Sequence, residues 1–287
     1  MEIAVLGGLS VRYQGVSVVP SAGKPRQVLA LLALRSGSMV RVPTLMEEIW
    51  GEHIPRSATT TLQTYILQLR RKISPQLAGS PQTSAKEVLS TVFGGYRLSR
   101  PRVYDLDEFR RLAAQGAVAL DVGDAQAASA TLGRALALWR EPALVDVPLG
   151  RVLGVEVLGI EEQRLQVLEQ RIEADLLLGR DNALVSELRM LTAQHPLQES
   201  FCAQLMIALY RSGSPWRALD VFRQLRGTLN EELGVEPSPR LQRLHQAVLS
   251  GDPGLELPGL EPRGREPHGP EPHGGRRRSA AHAAVDR

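Results

Sequence analysis

The chain lacks most of what active-site chemistry draws on. A single cysteine, Cys202, stands among 287 residues, so no internal disulfide can form. That excludes a disulfide-stapled secreted fold and points to a cytoplasmic setting. No Gly-rich phosphate loop ends in Lys-Ser/Thr, no G-x-G-x-x-G follows a strand, and neither G-x-S-x-G nor H-E-x-x-H occurs. Three of the six histidines (His268, His273 and His282) fall in the Pro/Gly-rich end of the chain. His53, His195 and His245 have no acid or cysteine partners at ligand spacing. The expectation is a protein that is not an enzyme, with no cofactor and no metal. Long apolar runs are missing too: residues 28–34 form a run far shorter than the ~20 residues of a membrane span. Met1-Glu2-Ile3 lacks the basic start of a signal peptide. Aromatics make up only 4%, so a hydrophobic content of 43% must build its cores from Leu, Val and Ala.

The net charge of +3 conceals an uneven distribution. Residues 1–100 hold 12 Lys/Arg against 5 Asp/Glu, residues 101–250 hold 16 against 20, and residues 251–287 hold 6 of each. A basic first domain joined to a mildly acidic second one suits phosphate contact by the first and protein contact by the second. In the last 37 residues Gly and Pro supply 13 positions and Glu-Pro-His-Gly recurs at Glu266 and Glu271. That composition cannot bury a core, and residues 251–287 read as a disordered tail in which Arg276-Arg277-Arg278 is solvated.

Within residues 1–100 the pattern is strands, three helices and a hairpin. Ile3, Val5, Leu9, Val11 and Tyr13 lead to a Gln14-Gly15 turn, and Val16, Val18 and Val19 follow. Pro25 suits the first turn of a helix that buries Val28, Leu31, Leu32 and Leu34. A second helix spans about Thr44 to Trp50 and stops at Gly51. Residues 88–92, then Gly94-Gly95, then Tyr96-Arg97-Leu98 read as a two-stranded hairpin. The third helix, over residues 59–73, is the most informative segment. Leu62, Ile66, Leu69 and Ile73 form one apolar stripe, with Tyr65 at its edge. Thr60, Thr64, Leu67 and Arg71 lie opposite, flanked by Gln63, Gln68 and Arg70. Gln can bond both adenine edge atoms, Arg both guanine acceptors, and Leu or a Thr methyl can touch thymine. Taken alone, this helix is equally a solvated one with a basic end. The terminal hairpin shifts the reading to a winged helix-turn-helix with the third helix as reader. Thr60, Gln63, Thr64 and Arg71 are then the residues nearest base edges, while Arg70, Lys72, Lys24 and Arg26 face phosphate.

The second region repeats. Gly123, Ala128, Leu132 and Ala135 share the spacing of Gly179, Leu184, Leu188 and Leu191, and Gly213, Ala218, Phe222 and Leu225 follow it again. Leu120, Leu176 or Tyr210 stands three residues before each glycine. The second and third units lie 34 residues apart, the period of tetratricopeptide repeats, and Pro196 falls at the terminal proline of such a unit. The first unit lies 56 residues before the second, so the array is interrupted or carries a longer helix there. The fold class is therefore mainly α: an N-terminal winged helix-turn-helix (α+β) over 1–100 and an all-α tetratricopeptide-like domain over 101–250.

Several blocks carry a resemblance. Gly95-Tyr96-Arg97-Leu98 and Leu69-Arg70-Arg71-Lys72 resemble the ends of the wing and reader helix in OmpR-type winged-helix domains, here without a receiver domain in front. Lys24-Pro25-Arg26-Gln27, Thr61-Leu62-Gln63-Thr64-Tyr65-Ile66, Asp105-Leu106-Asp107-Glu108-Phe109 and the Trp139-Arg140-Glu141-Pro142 stretch extend it. With Arg171-Ile172-Glu173-Ala174-Asp175-Leu176, His195-Pro196-Leu197 and Glu232-Leu233-Gly234-Val235-Glu236-Pro237, residues 1–250 closely resemble the Streptomyces antibiotic regulatory protein family in its small, stand-alone form. That resemblance implies an OmpR-type DNA-binding domain followed by a bacterial transcriptional activation domain. It implies binding to direct repeats of double-stranded promoter DNA near the −35 region, as a dimer on DNA. It further implies recruitment of RNA polymerase holoenzyme with its sigma subunit, activation of an antibiotic biosynthesis cluster, and a cytoplasmic, nucleoid-associated protein without membrane contact. Val92 stands where such wings often carry Arg, which moves the expected wing contacts to Thr91, Tyr96 and Arg97. Two alternatives stand beside this reading: a tetratricopeptide adaptor whose winged domain binds protein, and a repressor using the same DNA site.

Overall fold

The structure, a computed structural model, describes residues 1–77 and 84–256; the rest of the Pro/Gly-rich tail, with Arg276, Arg277 and Arg278, lies outside the described residues. Strand β1 (Glu2–Ala4) pairs antiparallel with β2 (Ser10–Tyr13), which turns through Gln14-Gly15 into β3 (Val16–Ser17). Helix α1 (Gly23–Leu34) follows, with Pro25 in its first turn, and buries a continuous block from Gln27 to Ala33. A two-residue strand β4 (Val40–Arg41) leads into α2 (Val42–Trp50), which Gly51 ends. Helix α3 (Ala58–Ile73) runs on into a 3-10 turn over Ser74–Leu77. After a single-turn helix α4 (Ala85–Val88), β5 (Leu89–Val92) and β6 (Gly95–Leu98) form a hairpin with β4 on its far edge. The strand thus begins at Leu89 rather than Val88, because Ser84 and Glu87 form a capping box that holds residues 85–88 helical.

Strand β7 (Val103–Tyr104) then returns to the first sheet and pairs parallel with β1, giving the order β3-β2-β1-β7. Residues on both sides of position 100 therefore complete one sheet. The helical region follows as α5 (Asp105–Asp121), α6 (Ala125–Leu136), α7 (Arg151–Leu177), α8 (Asp181–Gln194), α9 (Glu199–Arg211), α10 (Pro215–Leu233) and α11 (Pro239–Ser250). The three repeats become three helix pairs, and each pair turns at its glycine. Gly123, Gly179 and Gly213 have φ of 81°, 71° and 76°, a region open to glycine and strained for other residues. Each turn closes alike: the glycine N–H donates to the carbonyl of Leu120, Leu176 or Tyr210, and the next N–H reaches one residue further back. All three sets of apolar positions after the glycines are buried. The uneven spacing has a simple origin. Residues 137–150 form a long loop against the N-terminal sheet, and α7 is a 27-residue helix.

The buried side chains fall into two clusters. One runs from Ile3 to Ala174, through the winged region, the first helix pair and most of α7. The other spans Ile172 to Val248 and holds the second and third pairs with α11. The break between cores thus lies along α7, well beyond the charge boundary near residue 100. Folded structure also continues past Ser250: Asp252 caps a short turn, and the Arg211 guanidinium donates to the Leu255 carbonyl at 2.7 Å.

Candidate nucleic-acid interface

Helix α3 separates its faces as its periodicity predicts. Leu62, Ile66, Leu69 and Ile73 are buried at 2% exposure or less, each worth about 1.5–3 kcal/mol of removal from water. Thr60, Gln63, Thr64, Leu67, Gln68, Arg71 and Lys72 are exposed, and Tyr65 is half-buried at the edge. No acidic residue occurs anywhere on the helix. Its last turn carries Arg70, Arg71 and Lys72, where cations also complement the negative end of the helix dipole. The Thr64 hydroxyl donates back to the Thr60 carbonyl at 3.0 Å, which uses its proton and leaves its oxygen free to accept.

Arg70 has a different position from its neighbours. Its Nε and Nη2 donate to the Leu89 carbonyl at 3.0 and 2.8 Å, and Nη2 also meets Thr91 Oγ1 at 2.9 Å. The side chain ties α3 to the first strand of the wing, so Arg70 and Thr91 join the helix to the hairpin. On β6 the alternation of a strand places Arg97 in solvent and Tyr96 and Leu98 inward. Tyr96, expected at the wing contact, is instead part of the core at 8% exposure. The turn Phe93-Gly94 closes the hairpin, with Gly94 at φ 80°. Phe93 is fully exposed and Arg41 stands beside the turn, paired in register with Gly95; sequence reasoning singled out neither. An aromatic at a two-residue hairpin turn was the available signal.

The pair expected to face phosphate from the start of α1 splits. Lys24 is exposed and lies over the Trp50 ring at 5.6 Å. Arg26 is committed elsewhere: it donates to the Pro20 and Asp146 carbonyls and pairs with the Asp146 carboxylate at 3.2 Å. Its role in this structure is to join the winged region to the loop 137–150.

That seam is dense. Glu48 on α2 is 2% exposed; its carboxylate accepts from the N–H groups of Gly150 and Leu153 at 2.7 and 2.8 Å, and from Gln27 Nε2 at 3.0 Å. One helix of the winged fold thus supplies the anion at the N-terminus of α7. A Cβ on Gly150 would overlap the Glu48 carbonyl oxygen, so only glycine allows this approach. Asp105 accepts from Val5 and Leu6 N–H, and Asp146 Oδ1 from Leu9 N–H at 2.6 Å. Burial pushes the Asp105 carboxyl up, against those two N–H groups and Arg140. Arg35 meets Glu156 of α7 at 2.7 Å. Deeper in the helical array, Asp175 accepts from Ser129, Arg171 and Arg180; burial opposes its charge, and those three donors outweigh burial and hold its pKa low. Among the described residues no group of three or more His, Cys, Asp or Glu is placed to hold a metal ion. No described helix is long and apolar enough to cross a membrane.

Residues 104–249 match the family model "Bacterial transcriptional activator domain", and residues 17–98 match "Transcriptional regulatory protein, C terminal". The chain is 52% identical over 257 residues to the regulatory protein DnrI of Streptomyces peucetius, covering 89% of this chain and 94% of that protein. It is 36% identical over 262 residues to the transcriptional regulator RedD of Streptomyces coelicolor, covering 90% and 73%. A solved structure of Mycobacterium tuberculosis EmbR in complex with a low-affinity phosphopeptide superposes with a TM-score of 0.79 at 31% identity, over 88% of this chain and 65% of that one.

Proposed function

The chain belongs to the Streptomyces antibiotic regulatory protein family of DNA-binding transcriptional regulators, and from that membership we propose that it activates transcription by presenting α3 to the DNA major groove. The observation that carries this reading is the acid-free helix α3, anchored by four buried side chains and exposing Thr60, Gln63, Thr64, Leu67 and Arg71. Gln63 and Arg71 have the chemistry to read adenine and guanine edges, and the threonine methyls and Leu67 suit thymine. Lys72 and Lys24 meet phosphate, Arg97 faces the minor groove from the wing, and Arg70 with Thr91 holds the wing at its working angle. Arg26 acts through the domain seam.

The sites are direct repeats in promoter DNA near the −35 region, occupied head to tail by two copies whose reader helices meet the same DNA face. The helical pairs contact RNA polymerase holoenzyme at its sigma subunit and adjoining surfaces, and the controlled genes are an antibiotic biosynthesis cluster. Support for activation comes from the activator-domain match over 104–249 and from the seam. Because Glu48 on α2 grips the start of α7, the helical pairs are delivered to one side of the promoter at a set orientation rather than on a loose linker.

Enrichment of duplexes from a random pool, followed by binding titrations against salt, tests the DNA half of this reading. The chain should enrich a repeated motif, and Lys72→Ala should weaken enriched and scrambled duplexes alike while lowering the salt slope by about one. A Lys72→Ala protein whose slope is unchanged would remove that phosphate contact.

A further inference from the structure

The wing ends in a side chain left fully exposed by the described residues. Phe93 is the most exposed large apolar residue among those described, at 101% of its reference exposure. Nothing about its backbone is loose. Gly95 packs so closely on β4 that a Cβ there would overlap the Val40 carbonyl oxygen. The Val42 N–H donates to the Gly94 carbonyl at 3.0 Å, and four register pairs from Leu89↔Leu98 to Val92↔Gly95 hold the hairpin below the turn. Arg70 locks that hairpin to the reader helix through Leu89 and Thr91. A phenyl ring is therefore held in water, at fixed height, beside the face that the proposed function assigns to DNA. A bound state that covers the ring would gain about 1.5–3 kcal/mol from its burial.

We propose that Phe93 is an apolar wedge that enters the DNA minor groove next to the major-groove contacts of α3, and that it favours an easily deformed base step beneath the wing. This inference rests on the DNA-binding reading of α3. Three features favour duplex DNA over a protein surface as what covers the ring. The hairpin strands and turn carry no acidic residue, and exposed Arg97 and Arg41 flank them, which suits a phosphate-lined groove. The apolar side chains near the turn are few: Tyr96 and Leu98 point inward, leaving half-buried Val92 and exposed Met39, which packs on Gly95, whereas protein-binding surfaces present a wider apolar patch. The wing also lacks an arginine at Val92 to insert, leaving an aromatic in the place from which insertion would come. Apolar side chains that enter the minor groove do so by partly unstacking a base step and bending the duplex, most easily at pyrimidine–purine steps.

The test compares the full chain with its Phe93→Ala and Phe93→Leu variants on duplexes enriched by the unaltered chain. Affinity is read by anisotropy, and bending by energy transfer between dyes at the duplex ends. Phe93→Ala should keep its melting temperature, since the ring touches nothing. It should bind about tenfold more weakly, with an unchanged salt slope, because no charge is lost. It should also bend the duplex less and lose base preference only under the wing, while Phe93→Leu retains most of the affinity and bend. Unchanged affinity and bend in Phe93→Ala would overturn the proposal. So would intact DNA binding combined with lost stimulation of transcription, which would assign the ring to a protein partner. Failure of the underlying reading looks different: the unaltered chain then enriches no duplex, and the proposal falls with it.

Discussion

Replacing Glu48 by Ala is expected to give the largest loss of stability of any single polar substitution in this chain. The carboxylate is sealed between α2 and α7, and its removal leaves the Gly150 and Leu153 N–H groups without their acceptor, while the Gln27 amide keeps only the backbone carbonyl of residue 48. Each orphaned buried donor costs about 1–3 kcal/mol, so a total of about 3 kcal/mol is a conservative figure. For a chain of this size that lowers the melting midpoint by roughly 6–12 °C. Glu48→Gln should lose less, because one amide oxygen still accepts while its NH2 faces a donor. Gly150→Ala should be as harmful as Glu48→Ala by the opposite route, driving a methyl group into the Glu48 backbone. Calorimetry of the three variants checks the seam. A midpoint within a degree or two of the unaltered chain for both Glu48→Ala and Gly150→Ala would mean that α2 and α7 do not meet in solution.

Arg71→Ala and Gln63→Ala should have the largest effects on DNA binding while leaving stability almost untouched, since both side chains are exposed and form no hydrogen bond or ion pair among the described residues. Each is expected to cost about 1–3 kcal/mol on the enriched site, or roughly 5- to 150-fold in affinity. The loss should come with relaxed preference at one base position, guanine for Arg71 and adenine for Gln63. Arg70→Ala should behave differently. It frees the wing from the helix, so affinity falls under the wing and the helix together, with no single base position singled out. Repeating the duplex enrichment with each variant distinguishes the two patterns. Uniform loss across all sequences for Gln63 and Arg71 would show that α3 lies on the backbone and not on base edges.

How much of this was legible in the sequence depended on whether the signal was local. The reader helix announced itself because Leu62, Ile66, Leu69 and Ile73 repeat at helical spacing, and burial follows that stripe. The repeats were legible because each helix pair needs a left-handed turn residue, and Gly123, Gly179 and Gly213 mark those turns. The seam had no such mark. Glu48 meets Leu153, and Val5 meets Asp105, across about a hundred residues, and nothing in the local pattern of either partner names the other. For the same reason Arg26 read as a phosphate contact, when Asp146 had a prior claim on it. The boundary near residue 100 rests on charge and on the end of the hairpin, and β7 and the larger buried cluster continue past it. Val92 in place of an arginine points to Thr91, Tyr96 and Arg97 as wing contacts, but strand alternation from Arg97 sends Tyr96 inward.

In the proposed function one chain both reads promoter DNA through α3 and raises transcription through the helical pairs joined to it. A fragment ending near residue 100 cannot separate these roles, because it loses β7 and the Asp105 acceptor for Val5 and Leu6. The direct measurement is run-off transcription with purified RNA polymerase holoenzyme, on a template carrying the enriched direct repeats beside a weak −35 element. The unaltered full chain should increase the transcript, Arg71→Ala should fail to do so at the same concentration, and inserting half a helical turn between the repeats should abolish the effect. A transcript that falls when the unaltered chain is added, or stimulation that persists with Arg71→Ala, would contradict the account.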